Sequence, residues 1–364
     1  MAEKGDARLL LLIVPFLAAW PLGGAREAAG QDRSTDRGRA VVPLTGRQLT
    51  QPNLLMLPTA VSVIGGLLLV LDPMADSVAV LLDTSGAQLM RFGGKGAARG
   101  EFEAPVSIDA QYGSDGSFWV IDGALHRATA FSYRRGQGPG LSPQRVVPLV
   151  VEGGGPIAAA FADTEGGFVG TGLFQSKRFV RFLRRGAAPF GPSPPGSPDT
   201  PIQVRNHAFQ SALAPHPDRS RFAAATRYAD RLEIYALDGS VVAEARRLRN
   251  FDPVYETKAR QGRPTFAPGL DLRYGYIAVA ANRQSIFALY SGRNHLEAPG
   301  TAPYGAVVEE LDWAGSRLRT FGLDRDAVAI AVDSSGQALY AVVHEPLPAI
   351  VRYALNSSGW KGHR

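Results

Sequence analysis

RFGGKGAARGEFEAPVSI, residues Arg91–Ile108, reads as a strand end, a glycine-rich crossing loop, a phenylalanine anchor, a proline and the start of another strand. Gly93, Gly94, Gly96 and Gly100 free the backbone to turn through positive φ. Phe102 supplies a large apolar plug, and Pro105 opens a strand where a missing N–H is tolerated. The same glycines around Lys95 look superficially like a phosphate cradle. No Gly-Lys-Ser/Thr end follows and no helix opens, so that chemistry is rejected.

Outward from this seam the chain repeats itself. Short β-rich runs are bounded by Gly, Asp, Asn and Pro, and no long stretch after residue 40 has helical periodicity. The unit is an apolar strand, an Asp-x-x-Gly turn, a second apolar strand, a short loop, an alternating strand, another turn and an outer strand. Six copies of about 45–60 residues follow one another, the size of propeller blades. Gly 41 and Pro 26, spread along 364 residues, suit many turns and disfavour a helical bundle. The expected fold is all-β: a single six-bladed β-propeller of four-stranded blades over residues 40–356. The Pro-rich stretch Pro189–Pro201 reads as a long crossing loop between blades three and four. The sixth copy runs out after three strands, and Ala40–Leu44 (AVVPL) is expected to complete that blade and close the ring, because an open edge invites aggregation.

Lys4 and Arg8 precede the apolar run Leu9–Trp20, and Gly23, Gly24, Ala25, Ala28 and Ala29 follow. This is the layout of an export signal. The run falls short of the roughly 20 residues that span a bilayer. Residues 1–30 are therefore expected as a signal peptide cleaved within Ala19–Gly30, with an uncleaved anchor as the competing reading. Residues 31–39 form a flexible lead-in and 357–364 a C-terminal tail. The mature chain is expected as a monomer without a transmembrane span, outside the cytoplasm, periplasmic or secreted.

Phe92, Gly93, Gly96, Gly100, Phe102 and Pro105 resemble the linker of NHL-type repeats, and Arg135–Gly140 reads as a degraded second copy lacking the Phe. NHL blades place an Asp after the second strand and an Arg five positions later. Asp122 and Arg127 match, Asp72 matches but with Ser77 for the Arg, and Thr226 replaces the Asp ahead of Arg231. Tyr228–Gly239, Tyr274–Gly292 and Ala329–Val343 look like the bacterial TolB-like six-bladed propeller family. That resemblance implies an exported propeller and names no reaction.

The formal net charge is +6, with arginines scattered rather than clustered, so a nucleic-acid partner is not expected. With no cysteine, disulfides and thiolate chemistry are excluded. The histidines lack HxH or HExxH spacing, and no G-x-S-x-G elbow occurs. His207 is expected to face the axis, His216 to be an exposed turn residue and His363 a tail residue. Asp122 and Arg127 read as a cross-strand ion pair, Asp163 and Asp333 as turn residues. Two functions remain open. In the first, a non-catalytic binding or scaffold module holds a protein, peptide or sugar on an axial face, needs no cofactor, and uses a rim of Arg227, Tyr228, Arg231, Arg293, His295 and Tyr304. In the alternative, a calcium-dependent hydrolase or lactonase gathers Asp109, Asn206 and Asp271, read as inner-strand residues, because Ca²⁺ needs several oxygen ligands in one place.

Overall fold

The computed structural model describes residues 40–110, 116–134, 141–247 and 249–355. The segments expected as export signal and lead-in, the expected turn residues Ser114 and Asp115, the loop Arg135–Gly140 and the C-terminal tail with His363 lie outside the described residues.

Six antiparallel sheets form a six-bladed propeller. From the inner strand outward, blade one holds Ala60–Ile64, Leu67–Leu71, Ala79–Asp83 and Gln88–Phe92. Blade two holds Pro105–Ala110, Ser117–Asp122, Arg127–Ser132 and Arg145–Pro148. Blade three holds Ile157–Ala162, Phe168–Gly172, Phe179–Phe182 and Ala187–Phe190. Blade four holds Ser211–Pro215, Arg221–Thr226, Arg231–Ala236 and Val241–Arg246. Blade five holds Tyr276–Ala281, Ser285–Tyr290, Gly305–Asp312 and Arg317–Ala327. Blade six holds Ala329–Val332, Ala338–Val343 and Ala349–Ala354.

The core is divided among the seams. Each of six buried apolar clusters joins two neighbouring blades. Leu67–Leu71 (LLLVL) therefore shows no polar alternation: Leu67, Leu69 and Leu71 pack toward blade two, while Leu68 and Val70 pack toward blade six. A strand covered on both faces has no solvated side for polar residues, whichever way its neighbours run.

The N-terminal segment closes the ring, with a different register from the one expected. Arg47–Gln48 pairs antiparallel with Val351 and Arg352 and supplies the fourth strand of blade six. Val41–Leu44 instead runs parallel to Thr320–Leu323 as a fifth strand on blade five. One short segment thus covers two sheet edges. Leu44 explains the placement, since it is buried in the blade five–six cluster.

Three elements lie outside the repeat, one of them the short parallel pair Gly94–Lys95 and Glu101–Phe102 in the first crossing loop. A short helix, Ile202–Ala208, begins directly after Pro201, and a two-stranded hairpin, Tyr255–Arg260 with Arg263–Pro268, stands between blades four and five. Its turn residues Gln261 and Gly262 both have positive φ, the requirement of a tight two-residue hairpin turn.

The crossing loop after blade one shows how a seam is held. Gly93 has φ 76°, and a Cβ there would stand 2.9 Å from the Phe102 ring. Phe102 is buried among Phe92, Phe118 and Phe131. Asp122 and Arg127 do not serve as the expected ion pair; each grips this loop through its backbone. The Asp122 carboxylate accepts from the N–H groups of Glu103 (2.8 Å), Ala104, Ala124 and Leu125. The Arg127 guanidinium donates to the carbonyls of Ala97, Ala98 and Glu101. Asp72 repeats half of the device, accepting from Met56 and Leu57 ahead of blade one. Replacing Asp122 by Ala is expected to cost about 2–4 kcal/mol, because four N–H groups lose a charged acceptor. Glu103→Ala, exposed on the same loop, is expected to stay within about 0.5 kcal/mol. Urea midpoints of the two variants check this, and equal shifts would remove Asp122 as the clamp.

Candidate binding face

Four-stranded antiparallel blades sort their loops onto two faces. The turns between second and third strands share one end of the ring with the loops that cross to the next blade. The turns between first and second and between third and fourth strands share the other. We call these the crossing face and the turn face.

All six rim candidates belong to the crossing face, because each lies in or beside a turn between second and third strands. They divide into three roles. Arg227 and Tyr228 join a chain of rings running across blades three to five. His207, on the short helix, lies 4.5 Å from Phe266 of the hairpin; Phe266 stacks on Tyr228 at 5.5 Å; Tyr228 meets Tyr274 at 5.3 Å; and Tyr274 meets His295 at 5.5 Å. Tyr255 meets Phe266 at 5.3 Å. The Arg227 guanidinium lies over both Tyr228 and Tyr274, 5.9 and 5.7 Å from the ring centres. All of these side chains are half-buried.

Gly275 makes the approach possible. Its N–H donates to the Arg227 carbonyl at 2.7 Å, and a Cβ there would stand 1.8 Å from the Ala229 carbonyl oxygen. Without a side chain the strand entering blade five lies directly against the Arg227–Asp230 turn, which sets Tyr274 beside Tyr228.

Arg293 and Tyr304 form a second group toward blades six and one. Arg293 donates to the Tyr304 carbonyl and pairs with Asp326 at 2.8 Å. The Tyr304 hydroxyl meets His344 Nδ1 at 3.1 Å, and His344 Nε2 lies 2.8 Å from the Pro58 carbonyl. Arg231 is not part of the rim surface. Its side chain is 12% exposed and faces Glu233, Glu244 and Asp252 at 3.7–3.8 Å.

The two faces differ in apolar exposure. Among the described residues, Met56, Met74, Val150, Val254, Leu270, Leu296 and Leu347 are 46–65% exposed, and all lie in crossing-face loops. Among the described residues the turn-face loops contribute only Leu183 to the exposed large apolar residues. The turn face is also tied shut between blades two and four. Arg219 donates to Asp109 Oδ1 at 2.8 Å and to the carbonyls of Ala110 and Ala162, reaching over the ends of three inner strands. His216 is buried rather than exposed: its ring packs on Trp313, and its nitrogens meet Asp218 and the Arg283 carbonyl. Asp163 and Asp333 accept turn N–H groups as expected.

The residues considered for calcium are not brought together. Only Asp109 lies on an inner strand, and its carboxylate is held by Arg219 and the Ala162 N–H. Asn206 lies on the short helix and donates to the Phe174 and Ser176 carbonyls. Asp271 is exposed in the turn before blade five. Among the described residues no three His, Cys, Asp or Glu side chains form a group that could hold a metal.

Beneath the aromatic chain lies a charged seam between blades four and five. Glu309 accepts from the Tyr276 hydroxyl at 2.7 Å and pairs with Arg247 at 2.6 Å and Arg317 at 3.1 Å. Arg247 in turn covers the Tyr290 ring at 4.1 Å. Burial pushes the nearby Asp230 carboxyl up to about 6, against the Asn250 N–H and the Arg247 guanidinium and with Glu309 adding to the rise. Burial, together with the Arg227 charge, lowers His207 to about 4 and keeps that ring neutral at physiological pH.

Sequence reasoning missed Phe266, Tyr255 and Arg219. The hairpin was legible in the alternation of Tyr255–Arg260 ahead of Gln261-Gly262, which is a two-residue turn signal. Arg219 carried no signal, since its partner lies 110 residues away.

No protein-family model matches the chain, and no curated protein matches it. Among solved structures, the RRP9 WD40 repeats are 12% identical, with 82% of this chain and 79% of that one covered, at TM-score 0.48. The Cps50 (Swd1) β-propeller domain of Myceliophteria thermophila is 12% identical over 85% and 99% of the two chains, at 0.45. A "putative exported protein" of Bacteroides fragilis NCTC 9343 is 11% identical over 85% and 94%, at 0.49. The six sheets themselves, rather than these similarities, establish the propeller. No helix among the described residues is long and apolar enough to cross a membrane.

Two measurements test this account. Arg219→Met strands a buried carboxylate and is expected to destabilise by about 3–5 kcal/mol, while Asp109→Leu/Arg219→Met recovers much of it; a double variant no better than the single one refutes the pairing. Asp230 has its folded pKa raised above the ordinary 3.8, so it costs nothing below pH 4, when it is neutral in both states. The cost grows from pH 4 to 6 and stays at up to about 3 kcal/mol above it. Asp230→Asn is therefore expected to raise Tm at pH 7.5, leave it unchanged at pH 4, and flatten the slope between. A gain that is the same at both pH values would be incompatible with this.

Proposed function

We propose that this protein is an extracytoplasmic, non-catalytic binding or scaffold propeller, of TolB-like type with NHL repeat character, that holds a protein, peptide or sugar on its crossing face. Residues 1–30 would act as a cleaved export signal and 31–39 as a lead-in to a monomeric ring. The observation that carries the reading is the half-buried chain His207–Phe266–Tyr228–Tyr274–His295 with Arg227 over two of its rings. Amphipathic rings with one end wet are what recognition surfaces use, because they bring large contact area at low entropic cost. The exposed aliphatic residues on the same face add apolar area to this support.

The purified mature chain and a Tyr228→Ala/Tyr274→Ala variant of matched Tm are to be applied to arrays of glycans and random peptides. The mature chain is expected to retain members of one class, unchanged after recovery and equally well in EDTA. The double variant is expected to lose at least tenfold in affinity, and Leu183→Ala on the turn face nothing. Turnover of a retained ligand, undiminished binding by the double variant, or no ligand at all would each overturn the reading. N-terminal sequencing of the periplasmic or secreted fraction is expected to begin within Ala19–Gln31.

A further inference from the structure

We infer that the crossing face takes an acidic peptide segment, one carboxylate of which sits on Arg227 while neighbouring apolar side chains lie against Val254, Leu270 and Leu296. This rests on the reading of that face as a binding surface and goes further in naming the chemistry of the ligand.

Arg227 is the odd cation of its neighbourhood. Arg231, Arg247, Arg273 and Arg293 all face carboxylates. Arg205 is used up by the carbonyls of Thr200 and Pro194. The Arg227 side chain makes no hydrogen bond and no ion pair among the described residues, and its Nε is buried without a partner. Its two tyrosine rings attract it only weakly, through cation–π contact at a partly exposed site. That does not replace the hydrogen bonds a guanidinium makes to water or to a carboxylate. The neighbouring ring of His207 is neutral at physiological pH and adds no second charge.

The surroundings decide which anion fits. Four neighbouring guanidiniums face acids and two, those of Arg205 and Arg249, are turned to backbone carbonyls, which leaves that of Arg227 open to an anion. A nucleic acid or a sulfated polymer presents a run of charges and rewards a run of cations. A single carboxylate matches a single guanidinium fork bidentately. Val254, Leu270 and Leu296, all exposed on the loops that carry the aromatic chain, offer nothing to a sugar's hydroxyls but suit aliphatic or aromatic side chains of a peptide.

The test uses an array of random dodecapeptides with polygalacturonate and duplex DNA as further probes, read with the mature chain, Arg227→Gln and Arg227→Lys at matched Tm. Peptides held by the wild type are expected to be enriched in Asp or Glu beside Leu, Ile or Phe. Arg227→Gln is expected to lose the acidic enrichment, to bind the selected peptides at least tenfold more weakly, and to keep the apolar enrichment. Arg227→Lys is expected to fall between. Apolar enrichment without acids, or an acidic enrichment that survives Arg227→Gln, overturns this inference and leaves the binding face standing. Arg227-dependent retention of polygalacturonate or DNA with no peptide held overturns it in favour of those ligands. No retention of any probe removes both readings.

Discussion

The structure depends on a closure made by very little chain. Arg47 and Gln48 pair with Arg352 and Val351, the Leu49 N–H donates to the Ile350 carbonyl at 2.8 Å, and the Ile350 N–H donates to Thr50 at 3.1 Å. These few bonds are modest by themselves. Their effect is to bring blade six against blade one, and so to bury Leu68, Val70 and Val80 against Tyr340, Val342 and Ile350. The entropy of closing so long a loop grows only logarithmically with its length. The seam gained is as apolar as any other, so one inexpensive closure completes the last of six cores. The parallel strand Val41–Leu44 then covers the edge of blade five, removing a second template for unwanted pairing.

The six seams are not equivalent. Those joining blades one to four rest on aromatic contacts: Phe92 with Phe131, Trp119 with Phe168, and Phe179 with Phe222. Arg178 enters the last of these fully buried and is consumed by Glu233, Tyr235, Ser211 and Thr226 of blade four. The next seam adds the buried pair of Glu309 and Arg247 to its apolar cluster. Buried ion pairs are poor evidence of stability, since desolvation offsets most of their attraction. What they do here is local: the charged seam lies under the inserted hairpin and the aromatic chain, and it anchors the turn that carries Arg227 and Tyr228 through Asp230, whose N–H donates to Phe251 and whose carboxylate accepts from Asn250.

Blade order and most inner strands were readable in the sequence because both rest on local chemistry, although Asn206 and Asp271, expected on inner strands, lie on the short helix and in the turn before blade five. Gly93 and Phe102 at the first seam, and the Asp-x-x-Gly turns at Asp83, Asp163 and Asp333, all act within a few residues of themselves. Ring closure was readable in kind but not in register, because Val41–Leu44 is equally apolar for either edge and the choice is made by Leu44 packing on blade five. Asp122 and Arg127 were singled out by spacing, yet their partners are backbone groups of a loop from the previous blade, which spacing does not reveal. The rim candidates were identified as loop aromatics and arginines. That Arg231 is neutralised and Arg227 is not depends on Glu233, Glu244 and Asp252, contacts that exist only once blade four is folded.

Geometry also explains why surplus chain gathers on the crossing face. A turn between third and fourth strands spans one strand spacing, about 4.8 Å, and two to four residues suffice. Their side chains are spent on the turn, as Asp83 and Asp312 are on their own backbone N–H groups. A crossing loop must instead travel from the outermost strand of one blade to the innermost of the next, about three spacings or more. Apart from the passage from blade five to blade six, which the strand Arg317–Ala327 makes by itself, such a loop is long and arrives beside the axis with side chains to spare. In this ring the longest crossings lie on the two sides of blade four, and they carry the helix with His207 and the hairpin with Phe266. The aromatic chain therefore stands where the fold is obliged to supply surplus chain, while the opposite face is drawn together by Arg219 between blades two and four.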